Sequence, residues 1–203
     1  PNNPVAELVF SPDGRTLAGG WWPQYFGDVI LWDVKTGRQN RSLKGLDGAC
    51  TTIAVSPDGH WLVGGSGTSA EGCVWSLETE QPPQLLLGHT TGVVGVAFSP
   101  DGQTLATGSY DTIKLWKVPL GKGHTFQEVA SFPTERAVLR GLRFSPDGKT
   151  LAAGYLPFTG ASKATNTMNN FVRLYRAPTL EAIAAIEASE KDRRDEMGST
   201  PGQ

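Results

Sequence analysis

Apolar residues alternate with polar ones in four short runs, and each run leads into the same tetrapeptide. Ala6, Leu8 and Phe10 precede Ser11-Pro12-Asp13-Gly14, and Ile53 and Val55 precede Ser56-Pro57-Asp58-Gly59. Val94, Val96 and Phe98 precede Ser99-Pro100-Asp101-Gly102, and Leu142 and Phe144 precede Ser145-Pro146-Asp147-Gly148. Alternation at period two marks a strand with one buried face. In the tetrapeptide, proline pre-sets φ, aspartate bonds its own backbone and glycine takes the left-handed conformation. The prediction is a tight hairpin on a type I turn with a bulge.

A second strand follows each turn. The third residue after the turn glycine is always leucine (Leu17, Leu62, Leu105, Leu151), and the sixth is always glycine (Gly20, Gly65, Gly108, Gly154). A third strand ends on an aromatic residue: Trp32, Trp75, Trp116 and Tyr175. Weaker apolar runs then predict a fourth strand at Arg41–Leu43, Leu85–Leu87, Val129–Phe132 and Ala182–Ile186. The last of these is assigned by its place in the repeat, because Thr179–Glu196 also has helical propensity.

The tetrapeptides start 45, 43 and 46 residues apart. Four antiparallel strands in a unit of that length are one blade of a β-propeller. The expected fold is all-β: four four-stranded blades in an incomplete, open ring. Blade limits fall at about 1–46, 47–89, 90–134 and 135–187, and the mixed-charge segment 188–203 reads as a linker or disordered tail.

Trp32-Asp33 is the WD dipeptide, Trp75-Ser76, Trp116-Lys117 and Tyr175-Arg176 are degenerate forms of it, and Gly88-His89 is a GH dipeptide. From about Val5 to Glu187 the chain resembles the WD40-repeat family. The resemblance implies a hydrogen-bonded structural tetrad in the third unit, made by His89, Ser109, Asp111 and Trp116. It also implies a ring of seven or eight blades, of which this sequence supplies four. Each end blade then has one face without a neighbour. If such a face matches an inter-domain interface of roughly 600–1,500 Å², burial at about 25 cal/mol/Å² is worth on the order of ten kcal/mol or more. Further blades, from a parent chain or a second copy, are therefore expected partners.

Composition narrows the classes. A net charge of −2 over 203 residues argues against nucleic acid as the main partner. No apolar run approaches the 18 residues of a membrane span, and residues 1–203 contain no signal peptide. Cys50 and Cys73 fall on strands that are not sheet neighbours, so no disulfide is expected, and a reducing, cytoplasmic location fits. Asn40-Arg41-Ser42 is a single sequon match. Gly64-Gly65-Ser66-Gly67-Thr68 lacks the Gly-Lys-Ser/Thr of a phosphate loop, and no His-x-x-x-His, Cys-x-x-Cys or Gly-x-Ser-x-Gly occurs. At the starts of the innermost strands only Glu7 is acidic. Neither catalytic residues nor a metal or other cofactor is expected.

The irregular positions carry the functional expectation. From the sixth-position glycine to the third-strand aromatic the distances are 12, 10, 8 and 21 residues, so unit length varies mainly in the loop between the second and third strands. These loops share a rim with His89, opposite the uniform rim of turns. The first contains Trp21, Trp22, Tyr25 and Phe26; the fourth spans 155–170 and contains Phe158 and Met168. Tryptophan and tyrosine anchor interfaces, and loops on a rigid scaffold commonly carry function. One reading makes them the binding surface for a protein or peptide partner. The other folds Trp21, Trp22 and Phe26 back over the strand edge or the missing blade. The expected function is a non-catalytic interaction scaffold or sensing module of a larger, signalling-type protein. The alternative class is a propeller enzyme or small-ligand-binding propeller, including the TolB-like periplasmic kind, whose repeats also use the Ser-Pro-Asp-Gly turn.

Overall fold

The computed structural model describes residues 5–21, 27–119, 125–134, 137–157 and 171–176. The first sheet comprises β1 (Val5–Phe10), β2 (Thr16–Trp21), β3 (Val29–Asp33) and β4 (Gln39–Leu43), hydrogen-bonded in that order. The second comprises β5 (Cys50–Val55), β6 (Trp61–Ser66), β7 (Gly72–Ser76) and β8 (Gln84–Leu86). The third comprises β9 (Val93–Phe98), β10 (Thr104–Ser109), β11 (Thr112–Lys117) and β12 (Gln127–Pro133). The fourth comprises β13 (Ala137–Phe144), β14 (Thr150–Pro157) and β15 (Phe171–Arg176). All pairings are antiparallel. The structure is an unclosed propeller. β8 begins one residue before its predicted run and leaves Leu87 exposed. The fourth strand expected at Ala182–Ile186 and the tail 188–203 lie outside the described residues.

All four Ser-Pro-Asp-Gly turns have the same bonding, and the serine organises it. Ser99 Oγ donates to Asp101 Oδ1 at 2.5 Å and accepts the Thr104 N–H at 2.9 Å, while Asp101 Oδ1 accepts the Gln103 N–H at 3.0 Å. Ser11, Ser56 and Ser145 repeat this arrangement. The glycines carry φ of 69, 77, 71 and 72°, in the left-handed region that favours glycine. Three orphan N–H groups per turn are thus satisfied within the turn itself: those of the glycine, of the next residue and of the first residue of the following strand.

Four sheets enclose three cores, and each core is built by two successive sheets. Ala18, Val29, Leu31 and Leu43 of the first sheet meet Cys50, Ile53, Leu62, Cys73 and Trp75 of the second. Val63, Val74 and Leu86 meet Val93, Val96, Leu105 and Trp116; Ala106, Ile113 and Leu115 meet Leu139, Leu142, Leu151 and Tyr155. The pleat explains the division, because neighbouring residues of a strand point to opposite faces. In each blade the turn-adjacent leucine and the third-strand aromatic look back at the preceding sheet, and the residues next to them look forward. Polar bonds run along the same joints. Arg41 donates to the Ser76 and Thr79 carbonyls, Trp75 Nε1 to the Lys44 carbonyl at 2.7 Å, and Gln84 exchanges two bonds with the Phe126 backbone.

The innermost strands β1, β5, β9 and β13 lie against one another in series. Each has a register shift at the same place, at Val5/Glu7, Cys50/Thr52, Val93/Gly95 and Leu139/Gly141, where a bulge adds local twist. Cys50 and Cys73 are buried free thiols on the non-neighbouring strands β5 and β7, and burial pushes both up to about 12.

Removing one turn hydroxyl tests this account. Ser99→Ala deletes the acceptor for the Thr104 N–H and the donor to Asp101. The expected cost is about 1–2 kcal/mol in urea unfolding. An unchanged midpoint would mean that proline and glycine alone shape the turn.

Candidate functional site

On the rim that bears the β2–β3, β6–β7, β10–β11 and β14–β15 connections, the third blade carries a chain of side-chain hydrogen bonds. Trp116 Nε1 donates to Thr107 Oγ1 at 2.8 Å, and Thr107 Oγ1 lies 2.7 Å from His89 Nε2. His89 Nδ1 lies 3.0 Å from Ser109 Oγ and 2.9 Å from Thr112 Oγ1, and Ser109 Oγ donates to Asp111 Oδ1 at 2.6 Å. His89, Ser109, Asp111 and Trp116 therefore belong to one chain of hydrogen bonds, buried except at its Asp111 end. Trp116 and His89 are joined through Thr107, which the sequence reading did not single out. Its signal was present: the fifth residue after the turn glycine is Gly19, Gly64, Thr107 and Ala153, so only the third blade has a hydroxyl there. Lacking one, Trp75 reaches the Lys44 carbonyl instead.

Charge follows this geometry. Burial, with the Lys114 ammonium nearby, pushes the His89 imidazole down to about 4. Lys114 itself is buried and held by both carboxylate oxygens of Glu128 at 2.8 and 2.9 Å. Burial opposes ionisation of Asp111, but hydrogen bonds from Ser109, Thr90 and Thr91 outweigh it and hold the carboxyl down at about 2. Thr91 Oγ1 also accepts the Tyr110 N–H, and Thr134 Oγ1 donates to the Tyr110 carbonyl. A neutral, fully bonded histidine has no free nitrogen for acid–base chemistry. The network instead clasps the connection between the second and third blades to the β10–β11 hairpin, leaving Tyr110 exposed above it.

At the joint of the first two blades, Asp28, Lys44, Gly45, Leu46 and Asp47 line an open cleft of about 410 Å³ on the same rim. Ser42 Oγ donates to Asp28 Oδ2 at 3.1 Å. The first long loop is rooted beside this cleft at Gly27, where a side-chain carbon would fall 2.0 Å from the Gly48 carbonyl oxygen. Glycine is required at this approach. The fourth loop is rooted by Tyr155 and Phe171, stacked with ring centres 5.1 Å apart.

Of the loop aromatics, Trp21 is described. Its ring lies 6.2 Å from that of Trp32, tilted by 54°, and its buried Nε1 has no hydrogen-bond partner among the described residues. It thus packs on the backward-looking face of the first sheet. Trp22, Tyr25, Phe26, Phe158 and Met168 lie outside the described residues. Inside the arc, Glu7 Oε2 accepts the Ile53 N–H at 2.8 Å, and its other oxygen lies 3.6 Å from the Arg143 guanidinium of β13. Among the described residues no group of three or more His, Cys, Asp or Glu side chains could hold a metal ion.

The Trp–Thr–His–Ser chain belongs to the third blade, and sequence comparison covers that blade and the one before it. Residues 37–76 and 80–117 match the family model "WD domain, G-beta repeat". The two matched stretches run from β4 to β7 and from β8 to β11 of the unclosed β-propeller. It is 33% identical over 78 residues to the Protein LST8 homolog of Drosophila melanogaster, covering 38% of this chain and 23% of that protein. It is 30% identical over 82 residues to the Periodic tryptophan protein 2 homolog of Neurospora crassa, covering 38% of this chain and 9% of that protein. The chain thus matches less than a quarter of the length of either relative. Kuenenia stuttgartiensis hydrazine synthase is similar in structure, with a TM-score of 0.71 and 23% identity over 91% of this chain and 48% of that one. At that identity the likeness is one of fold.

The histidine clasp has a pH signature. The folded protein resists protonating His89 until about pH 4, whereas an unfolded histidine titrates near about 6.5. The unfolded state binds more protons between those values, so stability falls as pH drops from about 6.5 to about 4. The full loss is on the order of 3 kcal/mol. Asp111, held at about 2, adds a further loss below its unfolded value of 3.8. Urea midpoints across this range should show the upper decline in the native chain and not in His89→Gln.

Proposed function

We propose that this chain is a non-catalytic interaction platform, which binds a protein or peptide segment across the rim bearing the β2–β3 and β14–β15 connections. WD40 repeats are in general protein–protein interaction modules. The observation that carries the finer reading is the contrast between the two rims. On one, four identical turns are closed by their own hydrogen bonds. On the other, connections of unequal length stand beside an open cleft and above a clasped, rigid third blade. Trp22, Tyr25, Phe26, Phe158 and Met168 are the contact residues, and Trp21 is the packed root of the first loop. Asp28, Lys44 and Asp47 add charge beside them. A cytoplasmic setting and attachment to a larger signalling protein belong to the same proposal, as do further blades seated on the open end faces.

With His89 bonded and neutral and Glu7 structural, neither offers an activated nucleophile or base among the described residues of the rim and inner strands. A recognition role therefore fits better than an enzymatic one.

Display of a random peptide library on the immobilised chain tests the reading. Trp22→Ala with Tyr25→Ala should abolish selection of the peptides that the native chain enriches, by at least about tenfold in affinity, with an unchanged unfolding midpoint. A lower midpoint with retained peptide binding would show instead that these rings pack.

A further inference from the structure

Each innermost strand carries one extra residue at its bulge, and only in the fourth blade is that residue charged. The register shifts leave Ala6, Thr51, Val94 and Arg140 unpaired in β1, β5, β9 and β13. Arg140 is exposed. Three residues on, Arg143 stands where the other inner strands have Val9, Ala54 and Ala97, and its side chain is 71% exposed. The blade needs neither guanidinium to fold, because uncharged side chains fill both places in the three other blades.

The bulges place these residues at the inner edge of the variable rim. A side-chain carbon on Gly67, in the β6–β7 connection, would lie 3.2 Å from Thr51 and 3.8 Å from Val94. Extra residues of successive blades thus flank the connection between second and third strands. Tyr110 follows Ser109 as Gly67 follows Ser66, so the repeat sets Tyr110 between Val94 and Arg140. Tyr110 is 37% exposed, yet its backbone is fixed: Thr91 accepts its N–H and Thr134 donates to its carbonyl. Charge at this edge does not balance. Glu7 is the one acidic residue of β1, β5, β9 and β13, and it already accepts the Ile53 N–H beside Arg143. Among the described residues Arg140 forms no ion pair. Two guanidinium groups therefore share one carboxylate that is already engaged.

We infer that Tyr110, Arg140 and Arg143 form a carboxylate-binding site, and that the segment bound across this rim carries an aspartate or glutamate that enters it. A guanidinium offers a carboxylate two parallel N–H donors, a fork that an ammonium lacks. Arg140 receives the incoming group at the rim. Arg143 stands further along the same strand, and its exposed pairing with Glu7 is too weak to withhold it. The Tyr110 ring gives the adjoining residue of the segment a fixed aromatic surface. This inference rests on the reading of the rim as a binding surface and names the chemistry of its occupant.

Fluorescence anisotropy with capped, labelled hexaglutamate, hexaglutamine and hexalysine tests it. The native chain should bind hexaglutamate at least about tenfold more tightly than hexaglutamine, and Arg140→Ala should remove that preference. Arg140→Glu should reverse it in favour of hexalysine. Lys35→Ala with Arg38→Ala, which strips two charges from the β3–β4 turn on the opposite rim, should leave it unchanged. All three substituted side chains are exposed, so urea midpoints should match that of the native chain. Hexaglutamate binding that is absent, survives Arg140→Ala, or falls equally with the opposite-rim pair would overturn the inference. The peptide library separates the two readings. Selected peptides that lack acidic residues, bind Arg140→Glu as well as the native chain and are lost with Trp22→Ala and Tyr25→Ala would overturn the carboxylate site and leave the rim reading standing. No selected peptide, with hexaglutamate still bound through Arg140, would support the carboxylate site and overturn the role of the loop aromatics.

Discussion

Sheet-on-sheet packing between successive blades is the constraint on which the rest of this molecule depends. No single sheet here has a core of its own; each core is shared by two. A twisted four-stranded sheet has two faces, and both become apolar when neighbours stand on either side. This is why the third-strand aromatics recur: Trp75 and Trp116 each fill the space against the sheet before, with Tyr175 packed on the edge of the same kind of joint. It is also why the first blade, with the same residue types at Leu8, Phe10 and Trp32, leaves Leu8 and Phe10 more than half exposed and Trp32 only partly buried.

Stiffness is distributed unevenly as a result. The turn rim closes on itself through serine, aspartate and backbone, four times over, and its prolines stack on the glycines of the following turns. The opposite rim depends on side-chain chemistry that differs from blade to blade. Only the third blade has the hydroxyl and the imidazole that link its tryptophan to the inter-blade connection. The second blade replaces them with a direct bond to the Lys44 carbonyl. Buried polar chains of this kind specify one arrangement because each partner left unbonded would be costly.

Such a scaffold is neutral towards chemistry. The same fold occurs in part of hydrazine synthase, and stretches of about 80 residues are similar in sequence to the LST8 and Periodic tryptophan protein 2 homologs. Function is decided by what the connections and the inner strands carry. In this chain the inner strands spend their one carboxylate on a backbone N–H and an arginine. The variable content lies in the rim connections.

The architecture was legible in the chain because its causes are local. Alternation over five or six residues, a turn whose bonds close within six residues and an aromatic at a fixed offset each act over short range, and repetition multiplied the signal. β1 to β15 accordingly stand where the periodic positions placed them, within about two residues, except that β14 runs on through Tyr155–Pro157, which the sequence had assigned to the fourth loop, because these residues pair with β13. His89, Ser109, Asp111 and Trp116 were singled out as a set through their family pattern. Thr107 was not, because its part depends on Trp116 and His89 arriving from β11 and from the connection before β9, neither adjacent to it in sequence. The packing of Trp21 on Trp32, the cleft beside Lys44 and the reach of Arg143 to Glu7 have the same origin. They exist only once blades stand at a definite angle to one another, which is settled by the volumes filling the three shared cores and not by any short stretch of residues.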